Sequence, residues 1–460
     1  MSDIILNSDP RVVANIEITY PRIVKKFDDH LLEAIIILPI YKNPENVKTT
    51  QDALLHNDPD LDAYRKYSHG QDYVKIINEG YGHRFFNDLQ SFVRFLSPNA
   101  NINLLDDIYK HLRHMINDFV VDYQNNNVTY SVYSKDEPTT LRVIYKLLAE
   151  GGIGLHVIFY NYHPDAISNS QITLAEVFRF IHTETNYTKT AEVFIEGGLR
   201  YSEFTGSTIR NMIDALITSI SNYVDDIMYV FDSHYNLCLK DAYKDFTDKF
   251  FIYGSSSNKH YNKMLLAGWY KDDVFIMPPS LGYLKVLFLN YNNFRRFDSI
   301  VNKKTMSLYG KPIICNPSPG VVRSHLFENE PLREGQQSIA NTLYCVPGKN
   351  QNVFLSDYTL LLERNILRYE NAVRAALYGK RKVESIMARY IGLRRNDLDL
   401  KSIEQITNIE LAEEIDLKSY ITINPDDQTD ENTIVVHYFI EIPITTYEVR
   451  IIFNAKALEG

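Results

Sequence analysis

Four residues of one segment have the types and spacing of a metal site. Asp107, His111, His114 and Asp118 recur at +4, +3 and +4, so on a helix two imidazoles and two carboxylates share a narrow arc. The apolar positions of the same segment, among them Leu104, Ile108, Leu112, Met115, Phe119 and Tyr123, predict an amphipathic helix over residues 104–123. The Asp/His arc lies a quarter-turn or more from that stripe, beside Lys110 and Asn117. It also lacks the Glu that follows the first His in the usual helical zinc motif. It therefore reads as a solvated face with local Asp–His pairing. No metal and no other cofactor is expected.

The remaining chemistry-bearing residues are no better placed. The Gly-Gly-x-Gly of "EGGIGLHV" precedes a strand, whereas a phosphate cradle needs a strand before it and a helix N-terminus after it. The chain has no Gly-Lys-Ser/Thr. Its three cysteines, Cys238, Cys315 and Cys345, form no Cys-x-x-Cys pair, and none has a neighbouring His to activate it. Cys315, in "IICNP", reads as a buried structural thiol. The loop "GSSSN" lacks the pattern of a nucleophile elbow. Glu192, Glu196 and Glu203 have no spacing that demands a pair of acids working together. No catalytic residue is assigned, and the expectation is a protein that is not an enzyme.

Composition narrows the class. The 460 residues suffice for two to four domains, and 45% apolar with 23% charged residues is ordinary for a soluble globular protein. A net charge of −10 argues against a nucleic-acid coat. The 33 tyrosines suit protein–protein contacts, although an AT-rich coding sequence explains most of that excess. The start, "MSDIILNSDPRVV", has neither the basic residues nor the apolar core of a signal peptide. The longest apolar run, "LLEAIIILPIY", is too short to span a bilayer. A soluble chain made in a reducing compartment, without membrane contact, is expected.

The elements that must carry these residues alternate without a regular βαβ rhythm. Besides the helix at 104–123, the sequence predicts strands at "VTYSVY" and "IGLHVIFYNY" and a helix from Thr208 to Phe231 capped by Ser207. The loop "GSSSNK" marks an internal boundary. Farther on, a helix from Asp357 to Tyr378 ends at Gly379, and a second one runs to Ile391 before Gly392. Three antiparallel strands follow, "SYITIN", "TIVVHYFIEI" and "TTYEVRIIF". The expected class is α+β: a helical and mixed N-terminal region over 1–257, and over 258–460 a C-terminal assembly module of helices and a small antiparallel sheet.

One charge feature stands out in this acidic chain. Arg364, Arg368, Arg374, Lys380, Arg381, Lys382, Arg389, Arg394, Arg395 and Lys401 fall within about forty residues and predict a basic patch on two helices. Glu370 pairs part of it with Arg374 at i,i+4. A protein partner or plain solvation is favoured over nucleic acid.

The segment "YGKPIICNPSPGVVRSHLFENEPL" carries the remaining signal. It holds a Gly-x-Pro turn at Gly310–Pro312, an apolar run, Asn316-Pro317, Gly320, and then Leu326-Phe327-Glu328. This pattern resembles a segment of the small baseplate-wedge and sheath-initiator family of contractile phage tails. There too an apolar helix leads in, matching "LGYLKVLFLNYNNFRRFDSIV", and helices and a terminal β-hairpin follow. The resemblance covers residues 281–453 at most. It implies a virion subunit of a tail or baseplate, assembling with other virion proteins and with copies of itself. Pro317, Gly320, Leu326, Phe327 and Glu328 would be structural positions of that module. The terminal strand Thr445–Phe453, with Tyr447, Val449 and Ile451, is the expected pairing edge for a neighbouring chain.

Overall fold

The computed structural model of the chain describes residues 14–19, 32–40, 57, 70–79, 81–96, 98, 140–150, 153–161, 191–197, 226–232, 261–268, 270–272, 275–292, 296–301, 314–315, 340–346, 351–354, 356–361, 366–393, 398–415, 417–424 and 434–442. Apolar runs, and not alternation, build its centre. The run "LEAIIILPI" is strand β2 (Leu32–Ile40), whose residues Ala34 to Leu38 are all buried. Such continuous apolar strands belong to parallel sheets covered on both faces. Four more buried runs follow in order: β4 (Ile153–Asn161), β5 (Val193–Ile195), β6 (Met228–Asp232) and β7 (Lys263–Ala267). With β11 (Ala340–Val346) they form six parallel neighbours, β11-β7-β6-β5-β2-β4. Strand β3 (Tyr81–Phe86) and strand β12 (Gln351–Phe354) each add an antiparallel edge, giving eight strands. Strands β8 (Tyr270–Asp272), β9 (Phe275–Met277) and β10 (Ile314–Cys315) form a separate antiparallel trio.

Helices pack on this sheet where their apolar faces demand it. Helices α1 (Gln71–Glu79) and α2 (Leu89–Leu96) put Tyr73, Phe92 and Phe95 against Phe86 and Phe159 in edge-on and tilted aromatic contacts. Helix α3 (Thr140–Glu150) buries Val143 through Leu148. Helix α4 (Pro279–Asn292) starts with a proline, which suits a first helical position that has no partner for its N–H. Its first turn is held by Asp232, at the carboxyl end of β6, which accepts bonds from the Ser280 amide and hydroxyl.

The sequence predicts an α+β chain with C-terminal helices and a small antiparallel sheet, and the fold is a mixed α/β one with those C-terminal parts in place. Several details differ. Met228–Phe231, expected as the end of a helix, belongs to β6, because a buried apolar run of five residues satisfies either period. The helix expected from Asp357 begins only at Glu370: α5 spans Glu370–Met387 and runs straight through Gly379. Residues 357–361 and 366–369 are irregular, with a 3-10 turn at Ile366–Arg368 and a bridge between Tyr358 and Tyr369. Gly392 does close the helical stretch, at φ +83°. Helix α6 (Leu400–Glu414), capped by Asp399, has no counterpart among the elements that the sequence predicts. The expected boundary at 257/258 falls between β6 and β7, which are hydrogen-bonded neighbours of one sheet. The helix at 104–123, the strand at "VTYSVY", the loop "GSSSNK" and the strand "TTYEVRIIF" lie outside the described residues.

Two apolar clusters divide the described residues, and α5 belongs to both. Val373 and Leu377 join the sheet cluster, while Ala372, Ala375, Tyr378 and Val383 join a second cluster with α6 and the small sheet. Over its first three turns this leaves the helix no solvated stripe for its charges, and only Lys382, Glu384 and Ser385 near its end reach solvent.

Candidate assembly site at the C-terminal sheet

The small sheet has strand order β1-β14-β13, with β1 at Ala14–Thr19, β13 at Ser419–Thr422 and β14 at Val436–Glu441. Strands β13 and β14 pair antiparallel, as the sequence predicts. The third partner is unexpected. It is β1, from the other end of the chain, which runs parallel to β14 from Ala14↔Val436 to Thr19↔Glu441. A parallel pair cannot close through a hairpin, so the two strands must come from distant parts of a chain or from different chains. Twelve residues (20–31) join β1 to the main sheet at β2.

Strand β14 alternates. Val436, Tyr438 and Ile440 are buried against the helices, and Phe439, on the other face, stacks on the exposed Tyr420 of β13 at 4.9 Å. The close fit explains Gly379: a Cβ there would stand 1.9 Å from the Tyr438 hydroxyl. Burial raises the pKa of that hydroxyl, which stays protonated.

The outer side of β13 is not bare. Asn408 of α6 donates from Nδ2 to the Ile421 carbonyl at 3.0 Å and accepts from the Ile421 amide at 2.6 Å. One turn earlier, Glu404 accepts from the Ile423 amide at 2.7 Å. A bidentate Arg389–Glu410 pair, at 2.7 and 2.6 Å, ties the end of the α5 segment to α6. Ile406 and Ile409 on the outer side of α6, and Ile391 and Leu393 between the helices, are exposed.

A buried charge network joins this module to the large sheet. Arg374 on α5 is fully buried, donating to Glu370 at 2.6 Å, to Glu192 beside β5 at 3.3 Å and to the Arg296 carbonyl at 2.7 Å. Tyr283 of α4 donates to Glu370 at 2.6 Å. Arg296 also pairs with Glu192 and lies 3.8 Å over the Tyr378 ring. Burial alone would lower the Arg374 pKa, but Glu370, Tyr283 and Glu192 raise it above its ordinary value. Burial, then Glu370, pushes the Tyr283 hydroxyl well up.

This network accounts for much of the basic stretch. Arg368, Arg374, Lys380 and Arg381 are buried, so they face the interior and do not form a surface patch. Lys380 pairs with Glu384, and Arg381 donates to the Ala191 carbonyl. Lys382 is half-buried, 5.6 Å over the Tyr378 ring, and Arg389 is exposed but paired. Arg364, Arg394 and Arg395 lie outside the described residues. So do the turn residues Pro317, Gly320, Leu326, Phe327 and Glu328, the strand residues Tyr447, Val449 and Ile451, and the stripe Asp107, His111, His114 and Asp118.

Where an open parallel sheet usually seats a ligand, at the carboxyl ends of its strands, the acids are already bonded within the fold. Glu196, after β5, accepts from the Asp232 amide, and Asp232 holds the start of α4. Of the three acids weighed from the sequence, Glu192 and Glu196 thus bond inside the fold, and Glu203 lies outside the described residues. Among the described residues no group of three or more His, Cys, Asp or Glu side chains is arranged to hold a metal ion. No helix among them is long and apolar enough to cross a membrane.

Comparison with known proteins bears on the whole chain. No protein-family model matches the sequence, and no curated protein does. Solved structures do match by fold, among them two of one contractile particle. A chain of the anti-feeding prophage baseplate, determined by cryo-electron microscopy with six-fold symmetry, aligns at TM-score 0.54 with 11% identity, over 98% of this chain and 100% of that one. A chain of the contracted helical sheath of the same prophage aligns at TM-score 0.54 with 9% identity, again over 98% and 100%. At that identity the likeness is one of fold.

Proposed function

We propose that the chain is a structural subunit of a contractile, phage-like tail particle, in its sheath or baseplate, and works by protein–protein assembly without catalysis. The observation that carries this reading is the end-to-end likeness to chains of a contractile baseplate and sheath. The finer likeness, to small wedge and initiator proteins, rests on the turn residues at 310–328. Its partners would be other proteins of the particle and copies of itself, and its place the particle, after assembly in the host cytoplasm. The parallel β1–β14 pairing supplies a mechanism. Each chain carries a strand at one end that completes a sheet at the other, so the same pairing formed between neighbours would link subunits without new contacts. The segment Thr445–Phe453, following that sheet in sequence, would be the second strand offered.

Deleting Thr445–Gly460 tests the reading in cells that make the particle. The truncated chain should be soluble and absent from purified particles. Normal incorporation would overturn it.

A further inference from the structure

The hydrogen bonds on the outer side of β13 carry more than stability. In an antiparallel pair, alternate residues turn both backbone groups toward the partner or away from it. Ile421 binds Asn408 with both its amide and its carbonyl, so it is an outward residue, and Ile423, two places on, is the next. These are the groups that an added strand would use. Asn408 makes the two bonds such a strand would make at Ile421, and Glu404 takes the amide at Ile423. The spacing suits the task, because one helical turn advances about 5.4 Å and two strand residues about 6.7 Å. The same device occurs inside the fold, where the Asn341 amide binds both the amide and the carbonyl of Tyr358.

We infer that Asn408 and Glu404 form an edge guard that forbids strand addition at β13 and leaves only the β1 side of the C-terminal sheet open to an extended segment of another copy of this chain. The guard gives assembly a direction. A sheet open on both sides would pair with copies from either side and run on without register, whereas one closed side admits a single mode of growth. The inference rests on the strand-pairing reading above. The polar atoms of Asn408 and Glu404 are bonded to strand backbone, so α6 covers this edge, and covering by a helix is one way natural edges avoid pairing.

The test replaces both residues in the full chain, Glu404→Leu with Asn408→Leu. Light scattering then gives the mass, and hydrogen exchange follows the amides of Ile421, Ile423 and Tyr438. The variant should associate into multiples of the wild-type mass, with Ile421 and Ile423 protected in the associated form. A variant that keeps Tyr438 protected and the wild-type mass, while Ile421 and Ile423 exchange fast, overturns the guard. Should the double variant lose Tyr438 protection, Glu404→Leu alone opens one amide and keeps both Asn408 bonds; association with Ile423 protected then supports the guard, and the wild-type mass with Ile423 exchanging fast overturns it. Wild-type chain that never assembles speaks against strand pairing itself, and gain of association in the variant is still scored separately.

Discussion

Gly379 separates two physical arguments that differ in sign. Mid-helix, Gly→Ala ordinarily stabilises by about 1 kcal/mol. Here the added Cβ would meet the Tyr438 hydroxyl at 1.9 Å and the ring beyond it. Overpacking of a filled core costs about 1–3 kcal/mol, so close packing wins. Gly379→Ala should therefore lower the melting temperature, and a rise would show that β14 does not seat on α5 as described. His83 offers a second residue-level check. Burial, then His156 and Arg84, lower its pKa from 6.5 to about 4, and it contacts His156, which in turn bonds Glu33. The unfolded chain therefore takes up this proton first as pH falls. Stability from the neutral ring is complete above about pH 6.5 and is lost progressively down to about pH 4. His83→Gln should flatten that part of the stability–pH curve; an unchanged slope would place the ring in solvent.

Between elements, α5 is the piece on which the rest depends. It serves two apolar clusters, and its charges are satisfied by α4, by the residue before β5 and by the segment after α4. Removing one member of a buried pair costs about 3–5 kcal/mol, because the other charge is left behind. Arg374→Met should therefore cost that much in denaturant unfolding, with Glu370→Gln recovering part of it. A loss near zero would mean the pair is not buried. The same helix shows what the sequence could and could not reveal. The strands β13 and β14 and the turn at Gly392 were readable, since alternation and turn residues are local signals, and β4 was readable as a short apolar run. The parallel sheet was not, because strands buried on both faces lack alternation and resemble helix ends, as Met228–Phe231 did. Gly379 resembled a cap because its reason, Tyr438, is far away in the sequence. The cluster of Lys and Arg resembled a surface for a related cause: charge counts do not tell whether a helix has one apolar face or two. Asn408 and Glu404 gave no signal at all, since the bonds that define their role are to a strand.

At the scale of the whole molecule, β1 from the N-terminal part of the sequence meets β13 and β14 from the C-terminal part in one three-stranded sheet. For a lone protein this is a way to tie distant parts of the chain together. For the proposed subunit it is an interface that every copy can offer and accept. The most direct measurement is to tag the chain in cells that produce contractile particles, purify the particles and determine their structure by cryo-electron microscopy. The expected result is this chain in regularly repeated copies, with a strand of one copy lying in the β1 position beside β14 of its neighbour. Particles that lack the chain, with all of it recovered as free monomer, would contradict the assignment.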